Sequence, residues 1–295
     1  MSAGDAGSQG TLDPQHPLFG LGYAHPVERR TFARVIDGAC TTAEATVAEE
    51  VPVALAYNGK PHVVMMCTPA DIEDFARGFT ITEEIARANE IGEMKAVKYS
   101  GGIEVRIAIP GVRAAALGDR GRALVGRTGC GLCGVTTIDA ALRAGHHCDH
   151  AGERAVAARI APFALDALFR SAEAIGVYQR YNEGTNAVHA AAWARRDGSI
   201  AVAREDVGRH NALDKLIGAM AAAEIDPRDG FAVVTSRASY ELVQKCSAFG
   251  IVALAAISRP TGLAVRMAEA AGMGLAGLVR GASANLYAHA EVFGG

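Results

Sequence analysis

Two thiols separated by two residues carry the most distinctive chemistry in this 295-residue chain. Cys130 and Cys133 lie in Gly129-Cys130-Gly131-Leu132-Cys133-Gly134, with Gly126-Arg127-Thr128 just ahead. Glycine on both sides and between the thiols frees the backbone and lets a partner molecule come close, so the arrangement exposes sulfur rather than burying it. Thr136-Thr137 predicts a helix start running through Ile138, Leu142 and Arg143. Backbone N–H groups, the helix dipole and Arg127 would then all favour a sulfur anion. Three chemistries fit such a pair: half of a structural zinc site, thiol–disulfide exchange, and carriage of a sulfane sulfur as a persulfide. Zinc needs a second ligand pair at matching spacing, which the chain lacks, so it ranks below the other two, which stand level on the residues alone.

The remaining reactive types are weaker candidates. Cys67 and Cys246 lie in apolar or helical runs and read as small buried hydrophobes. Six scattered cysteines do not make a disulfide scaffold and suit a reducing cytoplasm. His146-His147-Cys148-Asp149-His150 holds only metal-ligating residue types, but its spacing fits no standard zinc pattern, and a polar loop is the expected reading.

The elements that position these groups fall into two blocks. Residues 51–57 and 61–67 read as strands joined at Asn58-Gly59, a strong hairpin signal. Thr68-Pro69 then reads as cap and first position of a helix carrying Ile72, Phe75, Ala76 and Phe79. A second strand pair, 96–100 and 103–109, turns at Gly101-Gly102 and ends at Pro110. These make a smaller α+β domain over 29–125, after a flexible tail over 1–28. The Gly- and Arg-rich stretch 111–129 reads as the linker to a second domain, 126–295, holding the Cys loop. After a helix over 162–176, runs 187–194 and 200–203 read as a strand and its returning strand about the Asp197-Gly198 turn; runs 231–235, 251–257 and 275–279 then alternate with helices, which predicts an α/β domain with a mainly parallel sheet.

Ligands in such sheets bind beyond the carboxyl ends of the strands. Ser236-Arg237, Ser258-Arg259 and Arg280-Gly281 each place a hydroxyl or a cation at such an end, which favours an anionic, phosphate-bearing ligand. Neither a P-loop nor a dinucleotide fingerprint is present. A formal charge of −3 argues against general nucleic-acid binding, and no apolar run is long enough to span a bilayer. The first residues lack the basic and apolar regions of a signal peptide, so a cytoplasmic protein is expected.

Taken together the motifs resemble the formate dehydrogenase accessory sulfurtransferase family, FdhD. The resemblance runs through Glu50-Val51-Pro52, Tyr57-Asn58-Gly59, Thr68 to Phe79, Gly126 to Gly134, His189-Ala190-Ala191, Arg204 to Lys215 and Thr235 to Glu241. It covers roughly residues 30–295. It implies a sulfur carrier that takes sulfur from a cysteine desulfurase and passes it to the molybdenum cofactor, the bis(molybdopterin guanine dinucleotide) form, before insertion into formate dehydrogenase. It implies a three-layer, cytidine-deaminase-like second domain and a homodimer. Carried onto this chain, Cys130 bears the persulfide and Cys133 is its partner. Leu278, Val279, Arg280, Gly281, Ala282 and Ser283 align with a cofactor-binding stretch, and Arg127, His189, Ser236 and Arg237 complete the expected binding set.

Two departures touch ligand detail. Asn186 stands in a run that is usually richer in glycine, and Ser283 stands where an arginine is common. A zinc deaminase is disfavoured because no Glu follows His189 in the H-x-E spacing and the Cys pair precedes the His. No stoichiometric zinc is expected. A non-catalytic, cofactor-holding chaperone is the alternative reading.

Overall fold

The structure is a computed structural model that describes residues 12–120 and 160–294. Three sheets organise them. The first is a two-stranded hairpin of β1 (Val27–Ile36) and β2 (Ala39–Ala48). The second has β3 (Val51–Tyr57), β4 (Lys60–Cys67), β5 (Met94–Tyr99) and β6 (Gly102–Ile107) in the order β4-β3-β6-β5. The Asn58-Gly59 turn forms as expected, with both residues at positive φ (49° and 78°).

The third sheet has six strands: β7 (His189–Arg195), β8 (Ile200–Asp206), β9 (Gly230–Val234), β10 (Ala253–Ala256), β11 (Gly274–Arg280) and β12 (Ser283–Ala288). Their order is β12-β11-β10-β9-β7-β8. Only β9, β10 and β11 run parallel; β7, β8 and β12 are antiparallel to their neighbours. The sheet is therefore mixed, not mainly parallel. Two hairpins, through Asp197-Gly198 and through Gly281-Ala282, add antiparallel edges to a parallel centre. The second of these includes β12, a strand that the sequence reading missed.

Helices are α1 (Ile72–Thr82), α2 (Gly111–Arg120), α3 (Leu165–Ala174), α4 (Arg209–Ala222), α5 (Tyr240–Phe249) and α6 (Gly262–Ala271). Strand alternation sends Trp193, Ala232, Val234 and Leu254 to the face covered by α4, α5 and α6. It sends Ala192, Phe231 and Val233 to the face covered by Phe163 and Leu168 of the α3 region. Helix α1 closes the four-stranded sheet with Phe75 and Phe79 and meets α4 on its other side. That contact is backbone to backbone: a Cβ on Gly78 would land on the Asp214 carbonyl, and one on Gly218 on the Asp74 carbonyl.

Four expectations are corrected. Helix α1 starts at Ile72 after Asp71, because Thr68 is drawn into a buried hydrogen-bond network. Residues 111–120 form α2 rather than linker, launched where the Pro110 carbonyl accepts from Arg113 and Ala114 N–H. Helix α3 begins at Leu165, because the Ala161 and Pro162 carbonyls instead accept from Arg196. The stretch before residue 29 is not all loose tail: Leu12 N–H bonds Ser100 Oγ, Gly22 is buried against the Tyr99 and Gly102 carbonyls, and Val27 opens β1.

Candidate functional site

Helix α4 lies between α1 and the six-stranded sheet, so its whole length from His210 to Met220 is buried. Its polar residues must therefore find partners inside the protein. The sequence supplies them from the end of β8 and from the β4–α1 connection. Lys215 Nζ sits 2.7 Å from Asp206 Oδ2, with both side chains at 0% exposure. Asp206 also accepts from Thr68 N at 3.0 Å, Gly208 N at 2.8 Å and Asn211 Nδ2 at 3.1 Å. Lys215 donates to the Thr68 carbonyl at 2.9 Å, and Asn211 to the Met66 carbonyl at 2.8 Å. Glu205 points the other way and takes the N–H groups of Tyr181 and Asn182; its burial raises the carboxyl pKa, which those bonds oppose.

A second buried group ties α1 to α5. Lys245 Nζ lies 2.8 Å from Glu83 Oε1 and 3.0 Å from Asp214 Oδ1, and Thr82 Oγ1 donates to Asp214 at 2.6 Å. Both groups fasten the helices that carry the sheet edge described next.

That edge lies at the carboxyl ends of β9, β10 and β11. Three backbone bonds join its loops: Ile257 N to the Val234 carbonyl, Thr261 N to the Ala238 carbonyl and Leu278 N to the Ser258 carbonyl, at 3.0 Å each. Helix α6 is capped there by Thr261 Oγ1, which accepts from Ala264 N. Helix α5 starts there from Ser239. Ser236 is buried and donates to the Arg237 carbonyl, which leaves the Arg237 side chain exposed. Arg280 and Ser283 pair across the β11–β12 turn and are exposed, with Gly281 at φ 52° and Leu278 at φ 53°. A positive φ at a leucine is uncommon and marks a backbone held by its surroundings.

His189 opens β7 opposite Asp206 and is half-buried. Burial lowers its pKa first, then the charges of Arg209 and His210, against the pull of Asp206. These effects favour the neutral imidazole. The Arg209 Nε is buried with no hydrogen-bond partner among the described residues. Beside them His210 Nε2 stands 3.6 Å from Glu241 Oε2. Burial acts to raise the Glu241 carboxyl, but His210 and Ser239 outweigh it and hold the group at about 2.

The structure places Ser236, Arg237, Arg280 and Gly281 at the carboxyl ends of the parallel strands, where the strand pattern puts them; Leu278, Val279, Ala282 and Ser283, named through the resemblance, lie on the end of β11 and the β11–β12 turn. His189 joins the same sheet through β7, whose Ala190 exchanges bonds with Thr235. Arg127, Cys130, Cys133 and the 146–150 cluster lie outside the described residues. The charge-dense stretch 204–211 leads from β8 into α4. The sequence does not show Asp206, Asn211 and Lys215 as a buried network, nor Arg209 and His210 as neighbours of His189. The available signal was a helix whose polar residues leave no wide solvent face.

Chemically, the edge offers cations, hydroxyls and helix N-termini to an anion. The described thiols do not serve it. Cys67 and Cys246 are buried, and burial pushes both thiols well above their ordinary range; Cys40 is exposed on β2. Among the described residues no group of three or more His, Cys, Asp or Glu could hold a metal, and no helix is long and apolar enough to cross a membrane.

Residues 48–293 match the model of the FdhD/NarQ family. The chain is 48% identical over 257 residues to a sulfur carrier protein FdhD of Bordetella petrii, covering 87% of this chain and 89% of that one. It is 46% identical to one from Xanthomonas euvesicatoria, covering 89% and 90%, and 44% identical to one from Cupriavidus necator, covering 94% and 93%. The fold is similar to the crystal structure of a candidate formate dehydrogenase accessory protein from Desulfotalea psychrophila, with a TM-score of 0.66 at 20% identity, over 89% of this chain and 96% of that one.

Proposed function

The chain belongs to the FdhD/NarQ family, and from that membership we propose that it is a sulfur carrier in the maturation of formate dehydrogenase. The observation that carries this is near-full-length identity of 44–48% to proteins named as sulfur carriers. In this reading Cys130 is the working thiol. Its thiolate attacks the outer sulfur of a cysteine desulfurase persulfide, the desulfurase thiolate leaves, and Cys130 holds the sulfane sulfur without net oxidation. Cys133 assists release: its thiolate attacks Cys130 Sγ, hydrosulfide leaves to the acceptor, and an external dithiol reductant returns the resulting Cys130–Cys133 disulfide to two thiols.

The acceptor is the molybdenum cofactor in its bis(molybdopterin guanine dinucleotide) form, bound as a substrate. The carboxyl edge of β9–β11 fits the anionic part of such a molecule: Arg237 is an exposed cation just before the start of α5, Arg280 is an exposed cation on the β11–β12 turn, and Arg209 Nε is buried without a hydrogen-bond partner among the described residues. His189, Ser236 and the turn over Leu278–Ser283 complete the binding surface. A cytidine-deaminase-like second domain and a cytoplasmic location belong to the same proposal.

The test is to incubate the protein with cysteine and a cysteine desulfurase and weigh it. A gain of one sulfur atom that survives Cys133→Ala and disappears in Cys130→Ala is expected. No gain in the unaltered protein overturns the reading, and restoration of formate dehydrogenase activity by Cys130→Ala would replace it with a cofactor-holding role.

A further inference from the structure

Helices α4, α5 and α6 all end at the amino edge of β9, β10 and β11, opposite the carboxyl edge, and they end in the same way. Each closes with a left-handed residue: Glu224 at φ 54°, Gly250 at 90° and Gly272 at 68°. Each of these donates its N–H to a carbonyl three residues back, on Ala221, Ser247 and Glu269. The residue after it, Ile225, Ile251 or Met273, donates to a carbonyl five residues back, on Met220, Cys246 and Ala268. These are three Schellman caps, each followed by an apolar side chain.

Between the caps lies a cavity of about 690 Å³, inside the range of about 300–1,000 Å³ that holds small molecules. Glu224, Gly250, Gly272 and the three apolar residues that follow them all line it, and Phe249 adds apolar wall. Its electrostatics favours one sign. A helix carries about half a negative charge at its carboxyl end, and three such ends meet here. The caps use carbonyls inside each last turn and leave the outermost ones without an intrahelical partner. Of the charged side chains on the lining, Asp226 and Arg228 pair with each other at 2.8 Å, so the Glu224 carboxylate is the net charge. Glu224 is also the exception among the caps. Glycine takes a left-handed backbone freely and stands at the other two ends; a glutamate there is held against its own preference.

We propose that this cavity binds a small organic cation. An ammonium, amidinium or guanidinium head sits against Glu224 and the helix ends, and an apolar body packs among Ile225, Phe249, Ile251 and Met273. The cavity shares no residue with the carboxyl edge, so the proposal stands apart from the sulfur-carrier reading.

Calorimetric titration of the full chain with benzamidinium, benzamide and benzoate tests it, because the three probes share a ring and differ in charge. Benzamidinium is expected to bind one per chain, benzamide about tenfold more weakly and benzoate not at all. Bound benzamidinium should shift the methyl resonances of Ile225 and Ile251. Glu224→Gln should weaken benzamidinium about tenfold. Glu224→Gly should weaken it as much while the melting temperature stays at least as high, because glycine relieves the left-handed backbone. The proposal is overturned if benzamidinium does not saturate, if the three probes bind alike or if the two isoleucine methyl groups do not move. It is overturned equally if the Glu224 variants bind like the unaltered chain or lose the cation together with the fold.

Discussion

Asp206, the last residue of β8, and Lys215, in the second turn of α4, form an ion pair of 2.7 Å sealed from solvent on the inner side of the sheet edge. Asp206 holds three further donors and Lys215 two further carbonyls, so neither charge is left bare. Removing one member leaves a buried charge with fewer partners, at a cost of about 3–5 kcal/mol. Asp206→Leu orphans Lys215 and the N–H groups of Thr68 and Gly208 together. Lys215→Met leaves Asp206 with its N–H donors. Chemical denaturation should therefore rank Asp206→Leu as the more damaging; the reverse order would mean that the lysine organises the network.

The crossing of α1 and α4 gives a second prediction. Gly78→Ala and Gly218→Ala each press a methyl group into backbone across the contact. Overpacking against side chains costs about 1–3 kcal/mol, and backbone yields less readily. Each variant should lose at least that upper amount in a urea titration, while Gly111→Ala, which meets open space at a helix start, should change stability little.

The binding edge can be probed with guanosine diphosphate. Arg237→Ala and Arg280→Ala remove exposed cations, so thermal stability should be unchanged while affinity falls about tenfold for each lost charge-assisted contact. Calorimetric titration reads this directly. Equal affinity in both variants would move the nucleotide elsewhere.

The pH dependence of stability carries the mark of Glu241. Its carboxyl is at about 2 in the folded protein against 4.5 as the ordinary value. A depressed acid stabilises the fold above its unfolded pKa, and that stabilisation is lost as pH falls from 4.5 toward about 2. Glu241→Gln should flatten the acid limb of a melting-temperature profile over that window and leave the neutral region unaffected by titration of this group. An unchanged acid limb would assign the depression to other carboxylates.

Much of this fold is legible in the chain. Asn58-Gly59 marks its hairpin because both residues tolerate left-handed backbone. The carboxyl-edge corners at Ser236, Ser258 and Arg280 follow from strand ends alone. The direction of β7 does not: alternation of strand and helix implies parallel crossovers, but nothing local in residues 179–189 says on which side of β9 the chain re-enters. Hairpin β1–β2 was missed because its residues alternate weakly, with arginines where a buried strand would place apolar groups. Asp206, Asn211 and Lys215 stand in the sequence only as part of the 204–215 motif; burial of α4 on both sides turns them inward.

The loops of the carboxyl edge are stitched to one another through main-chain bonds at Val234, Ala238 and Ser258. An arriving ligand therefore finds its platform already ordered. The entropy lost on binding falls on the long side chains of Arg237, Arg259 and Arg280, about 0.5–1.5 kcal/mol for each one immobilised. In the proposed binding role, specificity at this edge would reside in a fixed backbone, while strength would be set by how many arginines a ligand can hold still at once.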